Sequence, residues 1–338
     1  MPTRRHFLKS GVYVAAAGLA GAAALTGVRR SVAEEAPPEA TSLRLPKTSG
    51  FTCLAPLQIL DDLLREEGFV NIRYVDFTAP SQEENLAHGE VDFGQDFVSC
   101  VTYLMDAGVP TVMLAGVHPA CFELRARESI RSVVELKGKR VWAAWPADGS
   151  RTMLPIIAAS VGLDPSKDLE WVIDFKHDPK DLFAAGEIDA FMTLPPWAQE
   201  LRALNVGHVI LNSALDRPWS QYFCCMLIGN VDFVRRNPIA TKRVVRAMMR
   251  ATDVCAAKPD WVAQSLVDRD VWPRYDYVRQ GLDDVSYRVW RDYDSEDAVR
   301  FYALRMHELG MIKSSPDKII AAGTDWRFIK EVRRELGI

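Results

Sequence analysis

Hydrophobic positions along this chain switch repeatedly between a period of two and a helical period, and the switches mark out alternating strands and helices. Ser42 to Lys47 alternates as a first strand, and Ser49-Gly50-Phe51-Thr52 makes a tight loop after it. Leu57, Leu60, Leu63 and Leu64 then recur at helical spacing. Thr52 is placed to cap that helix, Pro56 fits its first turn and Gly68 ends it. Asn71 to Phe77 alternates again, and Ser81 to His88 reads as a short helix closed by Gly89. Val91 to Gly94 opens the next strand, and a further helix leads to an apolar strand over Thr111 to Val117.

The plan then starts again. Lys137 to Arg140 makes a basic turn, Val141 to Trp145 reads as a buried strand, and Pro146 to Gly149 forms a small-residue loop. Ser150 is placed to cap a helix with Met153, Ile156, Ile157 and Val161 on its apolar side. A strand, a loop and a helix N-terminus beside Arg151 make an anion-friendly corner, although the pattern also fits an ordinary strand–helix connection. Further strands are expected at Leu169–Phe175, Ile188–Thr193 and His208–Leu211. An internal echo supports two similar lobes. Glu84-Asn-Leu-Ala-His-Gly-Glu-Val-Asp-Phe93 is answered by Asp181-Leu-Phe-Ala-Ala-Gly-Glu-Ile-Asp-Ala190, each a helix closing on glycine before Glu-apolar-Asp opens a strand.

Tyr222 to Ile228 is nearly continuously apolar, which suits a strand buried on both faces and returning to the first lobe's sheet. From Asn230 the pattern is helical, with Val244, Val245, Met248, Ala251 and Cys255 on one face of a long helix. The expected division is 42–130 with 220–338 for lobe 1 and its C-terminal helices, and 131–219 for lobe 2. Two crossings, near 126–136 and 212–222, would form a hinge.

The N-terminus changes the picture by suggesting a compartment. Thr3-Arg4-Arg5-His6-Phe7-Leu8-Lys9 has the form of a twin-arginine export signal. The small-residue run from Ser10 to Gly27 follows, and Ser31-Val32-Ala33 offers a cleavage site. The expectation is a signal peptide over 1–33, a Pro-rich linker over 34–41 and a periplasmic mature chain. The formal charge is −4, but five of the 41 basic residues precede Ala33, leaving 36 against 45 acidic ones. With no basic stripe, nucleic acid is not an expected partner. The six cysteines (Cys53, Cys100, Cys121, Cys224, Cys225 and Cys255) lack metal-ligand spacing, and buried thiols are expected. Vicinal Cys224 and Cys225 are expected on opposite faces of their strand.

Several motifs in order carry a family resemblance: Gly89-Glu-Val-Asp92, Leu136-Lys-Gly-Lys-Arg-Val141, Gly186-Glu-Ile-Asp-Ala190, Asp232-Phe-Val-Arg-Arg-Asn-Pro238, Glu308-Leu-Gly-Met311 and Thr324-Asp-Trp-Arg-Phe328. Nearly the whole mature chain resembles the periplasmic substrate-binding proteins of ABC importers for nitrate, sulfonates, taurine and thiamine precursors (the NitT/TauT, NMT1-like group). The resemblance implies an α/β, two-lobed periplasmic binding protein fold of type II with a helical C-terminal extension. It also implies a monomer that closes on a small-molecule ligand, without a cofactor, and delivers it to an ABC permease and its ATPase.

Carried onto this sequence, the ligand site is expected to use Ser49, Gly50, Phe51 and Thr52 of the first loop and Gln95, Asp96 and Phe97 after the Val91 strand. Lobe 2 is expected to add Trp145, Asp148, Ser150, Arg151, Thr193, Pro195 and Trp197, with Tyr222 at the hinge return. The four aromatic residues Phe51, Trp145, Trp197 and Tyr222 suit a flat or apolar ligand. Asp96 points instead to an amine or ring N–H. An enzyme is the alternative, because some proteins similar to this group are desulfinases or pyrimidine synthases. Cys53, at a predicted helix N-terminus, would be its nucleophile.

Overall fold

A computed structural model of the chain describes residues 35–338 except 49, 80 and 120. The expected signal peptide and Ser49 therefore lie outside the described residues. Among the described residues, no helix is long and apolar enough to cross a membrane.

The alternating patterns yield ten strands in three sheets. β1 (Ser42–Pro46) pairs in parallel with β2 (Asn71–Val75). β3 (Phe93–Phe97) and β4 (Thr111–Pro119) flank β10 (Phe223–Asn230), which runs antiparallel to both. The uninterrupted apolar run of β10 fits this central position, because side chains on both faces are buried. The five-stranded sheet has the order β7 (Leu169–Ile173), β6 (Lys139–Ala143), β8 (Ala190–Thr193), β5 (Glu123–Ala126) and β9 (His208–Asn212). Beyond β10 the described chain is helical apart from one isolated bridge, and the helix Pro238–Ala257 buries the expected Val244, Val245, Met248, Ala251 and Cys255.

The internal echo is structural as well as sequential. Asp92 accepts from the Arg44 backbone N–H at 2.7 Å and meets its guanidinium, while the Asp92 N–H donates to Arg44 O at 2.8 Å. Asp189 repeats the arrangement with Arg140 of β6, with the backbone N–H at 2.9 Å and the reciprocal bond at 2.8 Å. In each half an aspartate leading into a strand thus clamps an arginine on another strand beside it, through charge-assisted, bidentate bonds.

Some elements move from their expected places. The helix expected over Leu57 to Leu64 is broken into a 3₁₀ turn at Thr52–Leu54 and two short helices, Ala55–Gln58 and Asp61–Glu66. Thr52 makes no capping bond. β6 starts at Lys139 and ends at Ala143, leaving Trp145 in the loop. The first crossing lies between β4 and β5, at 119–123 rather than 126–136, because β5 pairs with β8 and β9. The second, from β9 to β10, falls where expected.

Candidate ligand cleft

The loops at the ends of β1, β3, β6 and β8 surround a cavity of about 330 Å³. Lys47, Thr48, Phe51, Cys53 and Leu54 come from the first loop, Gln95 and Asp96 from β3, and Trp145 to Gly149 supply the loop after β6. Leu194 after β8, Phe77 and Ser81 to Glu83 complete the rim and walls, with Cys100 and Cys225 deeper. Strand C-termini facing a crevice are the usual ligand position in α/β proteins.

One wall is built by the short helix Gln82–Ala87, which Ser81 and Glu84 start with a reciprocal capping box. Gln82 docks edge-on against β3. Its Nε2 donates to Gln95 O at 2.8 Å and its Oε1 accepts from Gln95 N at 3.0 Å. Gly94 permits this approach, since a Cβ there would lie 1.9 Å from Gln82 Oε1. The neighbouring Glu83 is 1% exposed, and its Oε1 has no hydrogen-bond partner. Gln95 Oε1 is likewise buried and unpartnered, whereas its Nε2 donates to Cys53 O at 2.8 Å.

The opposite wall differs from the expected anion corner. Asp148, not Ser150, caps the helix Gly149–Ser160, accepting from Arg151 N at 2.9 Å and Ala144 N at 2.5 Å. The chain thus fills this helix N-terminus with its own carboxylate. The Arg151 guanidinium lies over the Trp171 ring, 4.3 Å from its centroid. Gly149 leaves room for Phe97 and Met192, each 2.9 Å from where a Cβ would stand.

Of the expected residues, Phe51, Gln95, Asp96, Trp145 and Asp148 meet on the cavity. The other described ones lie off its wall. Gly50 turns the loop with φ +84° beside Trp272. Thr52 N donates to Pro195 O at 2.8 Å, joining the first loop to the loop after β8. Ser150 is buried in the first turn of its helix, and Thr193 Oγ1 bonds Glu123 O at 3.3 Å. Trp197 packs on Phe191 in a small satellite core, and Tyr222 stacks on Phe301 at 4.0 Å. Sequence reasoning missed Glu83, Gln82 and Cys225. The pattern marked the helix from Ser81 to His88, but nothing in it marked Glu83 as buried.

Burial sets the electrostatics. It pushes the Asp96 carboxyl from 3.8 to about 7, against the pull of the Phe97 N–H and the Gln82 amide. Burial, with Asp96 nearby, pushes Glu83 well above the carboxylate range. Asp148 is also raised by burial, partly offset by the backbone N–H groups it accepts. Lys47 is the one basic side chain among the described lining residues; it is 65% exposed and 3.4 Å from Asp76. The cavity therefore offers acceptors and carboxyls, not an anion cradle.

The NMT1-like family model matches residues 62–266. The chain belongs to the NMT1-like family. No curated protein matches it. Solved structures similar to this NMT1-like protein include the periplasmic nitrate-binding protein NrtA from Synechocystis PCC 6803. It is 16% identical, with 89% of this chain and 90% of that one covered, at a TM-score of 0.76. The alkanesulfonate-binding protein SsuA from Xanthomonas axonopodis pv. citri, bound to MOPS, is 17% identical over 82% and 96% of the two chains, at 0.68. A Candida albicans protein described as having the generic periplasmic binding protein fold is 13% identical over 84% and 96%, also at 0.68. The NMT1-like chain thus has the periplasmic binding protein fold, as the motifs implied.

Proposed function

We propose that this NMT1-like protein is an exported solute-binding protein that captures a small organic molecule bearing N–H donors, a protonated amine or amidine, and passes it to an ABC permease. The observation that carries the ligand class is the pair of buried, unpartnered acceptors on the cavity wall, Glu83 Oε1 and Gln95 Oε1. A buried acceptor without a donor costs about 1–3 kcal/mol, and a ligand N–H relieves it. Burial holds Glu83 protonated and leaves Asp96, with a pKa of about 7, partly protonated near neutral pH, so a cationic ligand displaces protons and leaves a buried, hydrogen-bonded ion pair. Phe51, Phe77 and Trp145 supply the apolar faces that flank a flat ligand.

Residues 37–119 with 223–338 act as one lobe and 121–213 as the other, and ligand contacts to both favour closure. The family and the fold neighbours named for nitrate and alkanesulfonate support a binding role, and the export signal supports the periplasm. Cys53 is a poor candidate nucleophile. Its hydrogen bond to Cys121 pulls its pKa down, but burial and the neighbouring Cys225 and Asp96 push it up, and the net shift is upward.

A thermal-shift screen of small amines, amidines and aminopyrimidines against nitrate, alkanesulfonates and aromatic acids tests the reading. A donor-bearing cation at a hundred times its Kd should stabilise by about 2.7 kcal/mol. Stabilisation by the anions alone would refute the ligand class.

A further inference from the structure

Beneath the carboxyl-lined cavity lies a second constellation that solute capture does not use. We propose that His118, Cys121 and Cys225 bind a thiophilic d¹⁰ metal ion, zinc(II) or copper(I), at the floor of the cleft.

Geometry carries the assignment. One ligand atom from each of His118, Cys121 and Cys225 lies within 4.8 Å of the other two, and all three residues are buried. A tetrahedral zinc ion with sulfur at about 2.3 Å and nitrogen at about 2.0–2.1 Å needs ligand-to-ligand edges of roughly 3.5–3.8 Å. The cluster therefore has to contract by no more than about an ångström, within reach of side-chain rotation.

The residues are held there from different parts of the chain. His118 and Cys225 face each other across the β4–β10 ladder, and Cys121 stands at the first crossing. The ladder slips register on both sides of Cys225. This irregularity brackets Cys225, whose Sγ comes within 4.8 Å of Cys121 Sγ. Bulges re-aim side chains in this way, often beside functional sites. Cys53 lines the cavity together with Cys225, so the cluster opens towards the cleft.

The surroundings suit a metal ligand set. His118 Nδ1 is 2.6 Å from Pro119 O, and Nε2 is 2.9 Å from Cys53 O. One of these bonds can orient the ring while the other nitrogen gives its proton to solvent and its lone pair to the metal. Thiolate and imidazole donors without a coordinating carboxylate select zinc or copper(I) over calcium or magnesium. The thiol protons of Cys121 and Cys225 leave on binding, so zinc(II) makes the site neutral and copper(I) leaves one negative charge.

The test uses the reduced, metal-free full chain, titrated anaerobically with cobalt(II), then zinc(II), and separately with copper(I) against a competing chelator. The expected result is one equivalent bound, with a thiolate-to-cobalt charge-transfer band that zinc abolishes. Cys121→Ser and Cys225→Ser should each weaken zinc by more than about a hundredfold, beyond the usual loss from an outer-shell change. Cys255→Ala, buried elsewhere in the helix Pro238–Ala257, should leave affinity unchanged. X-ray absorption of the zinc-loaded wild type, which needs no variant to fold, should show a first shell dominated by sulfur. Absence of stoichiometric binding, or an oxygen-only shell, would overturn the proposal. So would a Cys121 disulfide to Cys224 or Cys225 in the protein isolated from the periplasm.

Discussion

Ser213 holds Phe122 by both of its backbone polar groups. Its Oγ accepts from Phe122 N at 2.9 Å and donates to Phe122 O at 2.8 Å, and its own N–H donates to the same oxygen at 3.0 Å. These residues belong to the two connections between sheets, just before β5 and just after β9, so the connections are tied to each other within a buried site.

Ser213→Ala should therefore destabilise the protein by about 1–3 kcal/mol, because the buried Phe122 N–H loses its acceptor. Chemical denaturation measures the loss. A variant as stable as the wild type would mean that the crossings are not coupled through this serine.

Asp96 gives a stability prediction with a definite sign. Its folded pKa of about 7 lies above the ordinary 3.8, so the folded chain holds this proton more tightly than the unfolded chain. The stability this supplies is present below about pH 4 and is lost as pH rises through about 7. At about 1.4 kcal/mol per unit, the ionised group costs the ligand-free protein a few kcal/mol at pH 8. Asp96→Asn should be more stable than wild type at pH 8, with no such gain at pH 4. An equal effect at both values would show that Asp96 does not titrate near neutrality.

Two tryptophans of the expected site should separate cleanly. Trp145 is 41% exposed on the cavity rim, and Trp145→Ala should weaken a flat ligand by roughly tenfold while leaving the fold intact. Trp197 packs against Phe191, so Trp197→Ala should lower stability instead, by about 3–5 kcal/mol if it behaves as a large core truncation. Calorimetric titration and denaturation of both variants check this. The reverse assignment would put the ligand against the satellite core.

Much of the architecture was legible in the sequence. The apolar run of β10 fixed its central place, and the repeated Gly-Glu-apolar-Asp marked the two aspartates that clamp Arg44 and Arg140. Half-hidden features were those that depend on long-range contact. Ser150 and Asp148 are both good caps, and only the fold shows that Asp148 wins by also accepting from Ala144. Arg151 looked free to meet an anion, but Trp171, twenty positions on, takes it. Glu83 sits among polar neighbours, Gln82 and Glu84, and its burial is set by the folded cleft wall rather than by its own segment. Cys53, Cys121 and Cys225 carry no spacing signal, because the first loop, the crossing and the β-bulge converge only in three dimensions.

Capture of a protonated ligand by Glu83 and Asp96 is tested most directly by calorimetric titration of the tightest amine or amidine from the screen, at pH 6 and pH 8. The groups facing these carboxyls include Asp148, Lys47, Cys53, Cys100 and Cys225, so wild type is compared with Glu83→Gln and Asp96→Asn under the same conditions. The account predicts proton release at pH 6, seen as a binding enthalpy that changes with the buffer. It also predicts affinity that rises towards pH 8 by up to about tenfold per unit for each proton displaced, with both effects reduced in the variants. Binding that is independent of pH and buffer, and unchanged in both variants, would contradict it.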